Sequence, residues 1–170
     1  QGISLVGSNN SVLIGTIIYN NTLDGIPLTL SSDSNILTGN TIYGNGQYGI
    51  SLSASSKNNI TSNQINTTIS NGYGIYLLSS SSSNTLSSNT ITTNGSSGYG
   101  ILLDTSSNSN IVQSNNITTS GSTGYGVFLS SSSNNNATGN IINATGTNAD
   151  GIYILSNSDN NILNLNNITK

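Results

Sequence analysis

The chain of 170 residues carries five acidic and two basic side chains, a formal net charge of −3, and no His, Cys, Met or Trp. These absences exclude a His-activated Ser or Cys nucleophile, a disulfide framework, and a zinc or copper site built from imidazole or sulfur ligands. The weak negative charge argues against nucleic acid as a partner, and no apolar run reaches the ~18 residues of a membrane-spanning helix.

A glycine followed by Ile or Val recurs about every 25 residues, and such a period is typical of a solenoid. After each glycine the apolar residues alternate, as in Ile50-x-Leu52 and Ile101-x-Leu103, which predicts a strand with one buried face. We expect each glycine to occupy a turn that needs a positive φ angle. The repeat glycines are Gly2, Gly25, Gly49, Gly74, Gly100, Gly126 and Gly151.

A Ser-rich corner, such as residues 79–83, follows these strands and leads into a second signature, Asn-x-apolar-x-x-Asn-x-Ile. Asn tolerates the left-handed conformation of a corner, and identical amides one coil apart can hydrogen-bond along the axis. The polar stretches that come next, such as residues 92–98, are predicted to be variable loops on one edge. The second Asn of each signature predicts a structural Asn ladder of Asn40, Asn63, Asn89, Asn115, Asn140 and Asn166.

Together these elements predict an all-β parallel β-helix of about seven coils of about 25 residues, forming one domain over residues 1–170. A helical fold is disfavoured because β-branched residues alternate with Ser, Asn and Gly. The Leu framework of a leucine-rich repeat and the aromatic signatures of a propeller blade are both absent.

The pattern of Gly-Ile-x-Leu, Ser-Ser-x-Asn and Asn-x-Ile-x-x-Asn-x-Ile resembles the right-handed parallel β-helix repeat family, the pectate-lyase-like superfold. It is most similar to the Asn- and Ser-rich versions in archaeal surface and adhesin-like proteins and in a periplasmic β-helix family associated with copper-enzyme maturation. The resemblance covers the whole chain and implies a right-handed all-β solenoid. The superfold hosts lyases, hydrolases, epimerases, adhesins and phage tailspikes, so it does not select one function.

Enzymatic members of this superfold place Asp clusters with Arg or Lys, and sometimes His, on an outer sheet face. Here Arg is absent, Asp24 and Asp150 hold equivalent positions five coils apart, and Asp33 and Asp104 lie in corners of different coils. Asp150 and Asp159 share a coil, but turn formation explains both. Glycoside hydrolysis needs two carboxyl groups roughly 5 to 9.5 Å apart. We therefore predict no catalytic residues, no metal, no cofactor and no enzymatic activity.

The aromatic residues fall into two groups. Tyr76, Phe128 and Tyr153 alternate with inward residues, with Leu102 between them in the stack, so they are expected to project outward as a candidate patch for contact with carbohydrate. The other group precedes the repeat glycine in consecutive coils and is predicted to form a stacked Tyr ladder. The ladder residues are Tyr48, Tyr73, Tyr99 and Tyr125.

Asn-x-Ser/Thr sequons are abundant. Since the surface carries almost no charge, glycans on an exported protein would supply hydration. We expect Asn66, Asn94 and Asn143 to be the most accessible sites because they fall in the variable loops. The candidate N-glycosylation sites are Asn9, Asn20, Asn59, Asn66, Asn94, Asn116, Asn136, Asn143 and Asn167.

The chain opens almost directly on a repeat glycine, Gly2, and stops at Lys170 within a coil. Uncapped solenoid ends expose unpaired backbone groups. We expect either a segment of a longer β-helix or a filament subunit that self-associates end to end. The leading prediction is a non-enzymatic, extracellular or cell-surface structural protein: a surface-layer, adhesin or fibre component, with glycans as further partners. The alternative is a carbohydrate-binding or carbohydrate-processing β-helix that uses outward Tyr and Asp side chains.

Overall fold

The computed structural model covers residues 1–170 and consists of 21 short strands in three parallel, seven-stranded sheets. Each coil of the solenoid contributes one strand to each sheet in the order A, B, C, and a loop then returns the chain to sheet A. No segment forms a helix with the length and apolar character needed to cross a membrane.

Sheet A consists of β1 (Leu5–Val6), β4 (Ile26–Thr29), β7 (Ile50–Ser53), β10 (Ile75–Leu78), β13 (Ile101–Asp104), β16 (Val127–Ser130) and β19 (Ile152–Leu155). Sheet B consists of β2 (Val12–Ile14), β5 (Ile36–Thr38), β8 (Asn59–Thr61), β11 (Thr85–Ser87), β14 (Ile111–Gln113), β17 (Asn136–Thr138) and β20 (Ile162–Asn164). Sheet C consists of β3 (Ile17–Tyr19), β6 (Thr41–Tyr43), β9 (Gln64–Thr67), β12 (Thr90–Thr93), β15 (Asn116–Thr119), β18 (Ile141–Ala144) and β21 (Asn167–Thr169).

The predicted all-β parallel solenoid of about seven coils is confirmed. Equivalent positions pair directly, so that Ile75 lies opposite Ile50 on one side and Ile101 on the other. The inward side chains of the three sheets form one hydrophobic core, and in a central coil Ile75, Leu86 and Ile91 are 0% exposed. Burying each such side chain stabilises the fold by about 1.5–3 kcal/mol.

Five of the six residues of the Asn ladder are buried, at the corner between sheets B and C. Oδ1 of Asn89 accepts hydrogen bonds from the backbone N–H and from Nδ2 of Asn63, at 2.9 and 3.0 Å. Nδ2 of Asn89 donates to the carbonyl oxygen of Ile60 at 2.9 Å and to Oδ1 of Asn115 at 3.0 Å. The left-handed conformation predicted for these Asn residues is wrong, because the preceding residue adopts it, as at Ser88 with φ 55°.

A second Asn ladder, which the sequence predictions missed, lies at the corner between sheets A and B. It contains the first Asn of each signature: the N–H of Asn58 donates to Oδ1 of Asn84, and the N–H of Asn84 donates to Oδ1 of Asn110, both at 2.8 Å. Buried serines act in the same way, since the N–H of Ser55 donates to Oγ of Ser81 at 3.1 Å. Much of the Ser and Asn content therefore satisfies buried backbone groups at the corners.

The repeat glycines are required by close packing and not by a positive φ angle, so that prediction is wrong. A Cβ atom on Gly100 would lie 2.3 Å from Cγ2 of Ile117 and 2.5 Å from the carbonyl oxygen of Gly126. Left-handed φ angles fall instead at the corners, where Ser79 and Ser80 have φ of 53° and 65°. Glycine is needed where the return from sheet C enters sheet A against the next coil.

The return loops of the central coils stack on one another. The N–H of Ser97 donates to the carbonyl oxygen of Ser70 in the preceding loop at 2.8 Å, and Oγ1 of Thr93 donates to the carbonyl oxygen of Gly98 at 2.5 Å. A Cβ atom on Gly95 would lie 1.7 Å from the carbonyl oxygen of Ile69. This tight packing fixes the position of the residue before each repeat glycine.

Candidate functional site

The residues of the Tyr ladder stack in register at the edge of sheet A. The ring centroids of Tyr48, Tyr73, Tyr99 and Tyr125 are successively 5.1, 4.9 and 5.3 Å apart, and the ring planes differ by 9° to 12°. Neighbouring rings cover both faces of Tyr73 and Tyr99. The ladder therefore presents ring edges and hydroxyl groups to solvent, and its inner rings have no open face on which a sugar could lie.

Tyr76 and Phe128 project from the outer side of sheet A and pack edge-to-face on the ladder. The centroid of the Tyr76 ring lies 5.3 Å from that of Tyr73, with an interplanar angle of 86°. Phe128 lies 5.3 Å from Tyr99, also at 86°. Neighbouring ladder rings already cover the faces of Tyr73 and Tyr99. The edge of Tyr73 therefore contacts one face of Tyr76, and the edge of Tyr99 contacts one face of Phe128. Both outer side chains are only half-buried.

Leu102 and Tyr153 complete this surface, because Tyr76, Leu102, Phe128 and Tyr153 are paired positions on consecutive strands. Leu102 is 5% exposed and fills the space between Tyr76 and Phe128. The Tyr153 ring lies 5.2 Å from that of Phe128 at an angle of 45°. We call these four residues the aromatic face; with about 4.8 Å between strands, they extend about 14 Å along the solenoid axis.

Three carboxylates border the aromatic face and the Tyr ladder. Asp24 and Asp150 occupy the ladder position in the coils before Tyr48 and after Tyr125, as the backbone hydrogen bonds of the repeat glycines show. Asp24 is 8% exposed and accepts hydrogen bonds from Oγ of Ser51 at 2.5 Å and from the N–H of Tyr48 at 3.3 Å.

Asp104 lies on the outer side of sheet A itself. Its carboxylate accepts hydrogen bonds from the hydroxyl of Tyr76 at 3.4 Å and from the N–H of Thr105 at 2.8 Å. The hydrogen bond to Tyr76 joins the carboxylate to the aromatic face. Asp104 is thereby placed beside any molecule that lies on the Tyr76 ring.

Burial raises the pKa of the four ladder tyrosines and of Tyr76, so their hydroxyls hold their protons more tightly than free tyrosine does. Burial, followed by the charges of Tyr99, Tyr48 and Asp104, raises the pKa of Tyr73 to about 12. Burial and then the Asp104 carboxylate raise the pKa of Tyr76 further above its ordinary value. The ladder therefore offers neutral hydroxyls that can donate hydrogen bonds near neutral pH.

The remaining acids lie elsewhere. Asp33 and Asp159 belong to the outer side of the corner between sheets A and B, where Oδ1 of Asp33 accepts the N–H of Ser56 at 2.7 Å and Oγ of Ser133 accepts the N–H of Asp159 at 2.9 Å. Sheet A and its return loop thus bring Asp24, Asp104 and Asp150 to the aromatic region and leave Asp33 and Asp159 apart.

All nine sequon asparagines lie on the outer surface, exposed or half-buried. Two were assigned to the wrong element: Asn66 and Asn143 lie in β9 and β18 of sheet C, whereas Asn94 lies in a return loop as expected. In these coils the strand extends two residues beyond the Ile of the signature, to Thr67 and Ala144.

Sheet C carries two features that sequence reasoning missed. Tyr19 and Tyr43 stack with their centroids 5.2 Å apart at an angle of 8°. A shallow groove of about 290 Å³ adjoins Tyr43, lined also by Gln64, Asn66 and Thr92. Apart from the hydroxyl of Tyr43, its lining contains no group that transfers protons. The spacing of Tyr19 and Tyr43 by one repeat was the signal for the stacked pair.

Two family models match the chain. Residues 65–170 match the right-handed β-helix region, which confirms the resemblance noted in the sequence and defines the class of the fold. Residues 1–117 match the periplasmic copper-binding protein (NosD) family. Because each match covers more than half of the chain, the chain belongs to the right-handed β-helix proteins and, among them, to the NosD family.

Several solved structures with a similar fold are epimerases of alginate or mannuronan. The periplasmic alginate epimerase AlgG is 16% identical with a TM-score of 0.77, over 98% of this chain and 47% of AlgG. A mutant form of AlgG is 23% identical with a TM-score of 0.72, over 84% of this chain and 32% of AlgG. The A-module of the mannuronan C-5 epimerase AlgE4 of Azotobacter vinelandii is 18% identical with a TM-score of 0.64, over 100% of this chain and 56% of the module.

The chain thus spans between a third and somewhat over half of these structures, and at such identities they establish the fold alone. No curated protein matches it significantly.

The prediction that the chain is not an enzyme is contradicted, because these neighbours are enzymes built on the same β-helix. That prediction assumed that catalysis would need His, Cys, Arg or a pair of carboxylates. Tyrosine hydroxyls and single carboxylates also transfer protons, and the aromatic region brings both together. The missing residue types are therefore no argument against catalysis on this fold.

The copper named in the family description does not fit the side chains of this chain. Copper sites are built from imidazole, thiolate and thioether ligands, and the chain has no His, Cys or Met. Its carboxylates do not compensate, because they form no cluster of three or more potential ligands. The side chains that the site offers are aromatic, hydroxyl and carboxylate groups.

Proposed function

We propose that the aromatic face binds carbohydrate, with an extended polysaccharide chain lying along the solenoid axis. The observation that carries this proposal is the packing of Tyr76 and Phe128: the Tyr ladder supports one face of each ring, and the side chains remain partly exposed. A sugar ring has an apolar face of C–H groups that suits an aromatic ring held rigidly in this way.

The Tyr ladder supplies the polar part of such a site. Its hydroxyls repeat with the spacing of the rings, 4.9 to 5.3 Å, along the direction of the aromatic face. Because burial keeps these hydroxyls protonated, they can donate hydrogen bonds to sugar oxygens, and the carboxylate of Asp104 can accept them from sugar hydroxyls. A polymer with a regular repeat can use such a row over several coils.

The comparisons support the same proposal. The similar solved structures are named as epimerases of alginate and mannuronan, both polysaccharides, and the chain spans only part of each. We therefore assign these coils to a carbohydrate-binding or carbohydrate-processing β-helix protein. The word periplasmic in the family description and in the AlgG name supports a location outside the cytoplasm. The predicted role as a surface-layer, adhesin or fibre component and the predicted end-to-end self-association stay predictions.

Calorimetric titration with a panel of soluble oligosaccharides tests the proposal. We expect saturable binding to at least one, and we expect the double variant Tyr76→Ala and Phe128→Ala to weaken it by about tenfold to a hundredfold, since two stacking contacts of about 1 kcal/mol each are lost. The matched control is Tyr43→Ala, which removes an aromatic ring from sheet C.

Two results would refute the proposal. One is the absence of binding to every oligosaccharide of the panel by the folded wild-type protein. The other is an equal loss of affinity in the Tyr43→Ala control, because that outcome would place the binding surface away from the aromatic face. Circular dichroism of each variant checks that the β-helix is retained.

A further inference from the structure

The charged side chains of sheet A and of the Tyr ladder column are all acidic. Three of the five carboxylates lie there, those of Asp24, Asp104 and Asp150. The outward positions of the sheet A strands include no Lys or Arg. Lys57 lies in the corner between sheets A and B. Lys170 lies at the end of the solenoid, where its Nζ donates to the carbonyl oxygen of Thr147 at 3.4 Å, in the return loop before Asp150 and away from Asp104 and Asp24 in sequence and coil.

The negative field reaches the groups that would contact a sugar. The charge of Asp24 contributes, after burial, to the raised pKa of Tyr48, and that of Asp104 does the same for Tyr76. An anion placed on the aromatic face would meet the same repulsion as a phenolate. It would also lose water without gaining a basic partner.

We infer that the aromatic face selects neutral glycans and rejects uronate polymers. This inference rests on the proposed function and adds the substrate class to it. A neutral sugar can donate its hydroxyl protons to the carboxylates and accept hydrogen bonds from the hydroxyls of the Tyr ladder. A uronate carries a carboxylate on each sugar and places it beside Asp104 or Asp24 with no cation to compensate, which discriminates against it. Alginate and mannuronan, named for the similar solved structures, are uronate polymers, so the preference inferred here differs from theirs.

The test compares matched pairs of hexasaccharides that differ only in the carboxylate at C6. Suitable pairs are β-1,4-linked mannose with mannuronate and β-1,4-linked glucose with glucuronate, each titrated calorimetrically in EDTA and again in calcium. In ~10 mM salt, where the Debye length is about 30 Å, we expect a neutral member to bind at least about tenfold more tightly than its uronate. In 1 M salt the ratio of neutral to uronate affinity should fall toward one, because the Debye length falls to about 3 Å.

A pair of charge variants locates the effect. Asp104→Asn with Asp150→Asn removes two charges from the aromatic region, whereas Asp33→Asn with Asp159→Asn removes two from the corner between sheets A and B. We expect the first variant to reduce the ratio of neutral-sugar affinity to uronate affinity at least threefold. The second variant has the same net charge and should leave the discrimination unchanged.

The outcomes separate the inference from the proposed function. Binding of a uronate as tight as that of its neutral counterpart, with or without calcium, would overturn the inference and keep the carbohydrate-binding function. An equal effect of the two double variants would also overturn it, because the discrimination would then follow total charge. Absence of binding to all hexasaccharides would overturn both.

Discussion

Truncating one side chain of the Asn ladder tests the account of how the coils are held together. In Asn89→Ala the side chain loses all four of its hydrogen bonds: two accepted from Asn63, one donated to the carbonyl oxygen of Ile60 and one donated to Asn115. Asn89 is 0% exposed, so water cannot readily replace the missing amide.

The magnitude follows from which groups keep another partner. Nδ2 of Asn63 still donates to the carbonyl oxygens of Leu37 and Thr61, and Oδ1 of Asn115 still accepts the N–H of residue 89. The backbone N–H of Asn63 loses its acceptor, and a buried donor without a partner costs about 1–3 kcal/mol. With the weaker losses at the carbonyl oxygen of residue 60 and at Asn115, we expect a decrease of about 3 kcal/mol in the free energy of unfolding.

Urea denaturation followed by circular dichroism measures this decrease. The control is Asn116→Ala, whose side chain is exposed on sheet C and whose substitution should change stability by less than about 0.5 kcal/mol. Asn166→Ala, in the half-buried last position of the ladder, should lie between the two, because water can reach the groups it leaves. A loss at Asn89 no greater than that at Asn116 would refute the ladder as a source of stability.

Three further predictions concern other columns of the solenoid. Gly100→Ala should destabilise the protein by about 2–3 kcal/mol or more in the same urea assay, because the added Cβ atom would overlap Ile117 and the carbonyl oxygen of Gly126. The control is Gly39→Ala, whose Cβ atom would meet no atom within 4 Å; its φ of 64° alone should cost about 1 kcal/mol. Spectrophotometric titration should show Tyr73 ionising near pH 12, because burial and the neighbouring charges raise its pKa. Since the folded pKa of Tyr73 lies above its ordinary value of 10, stability should be constant below pH ~10 and fall toward pH ~12, and a constant stability over that range would contradict this. When the protein is expressed in a glycosylating secretory host, peptide mass spectrometry should detect a glycan on Asn94, because this residue is exposed in a return loop. An unmodified Asn94 in the secreted protein would argue against the glycoprotein prediction.

The fold could be predicted because it depends on one-dimensional periodicity. Inward residues such as Ile75 and Leu77 repeat at a fixed interval, and parallel pairing turns that interval directly into a stacked core. The outward direction of Tyr76 and Phe128 followed from the same alternation.

Features that depend on contacts between coils could not be predicted in this way. The reason for glycine at position 100 lies in the approach of Ile117 from the same coil and of Gly126 from the next one. The packing of the return loops depends on the hydrogen bond from Thr93 to Gly98, and a polar stretch of this kind gives no periodic apolar signal. The pairing of Tyr76 with Asp104 joins residues 28 positions apart on adjacent strands, so neither residue's own coil indicates it.

The stacking that builds the core also explains why the chain has so few charges. Parallel coils place each residue about 4.8 Å from its equivalents, where two like charges repel by about 1 kcal/mol even in water. No two acids of this chain are neighbours in one column. Asp24 and Asp150 are separated by the four residues of the Tyr ladder, and Asp33 is separated from Asp159 by Ser56, Ser82, Asn108 and Ser133.

This separation gives a matched test. Ser56→Asp places a carboxylate next to Asp33, whereas Ser82→Asp places one between Ser56 and Asn108, which are neutral. Both substitutions change the net charge equally and both keep an acceptor for the backbone N–H of the neighbouring coil. We expect Ser56→Asp to be less stable than Ser82→Asp by about 1 kcal/mol at low salt, and we expect the difference to vanish in 1 M salt. Equal stabilities at low salt would show that the low charge content has another cause than the register of the coils.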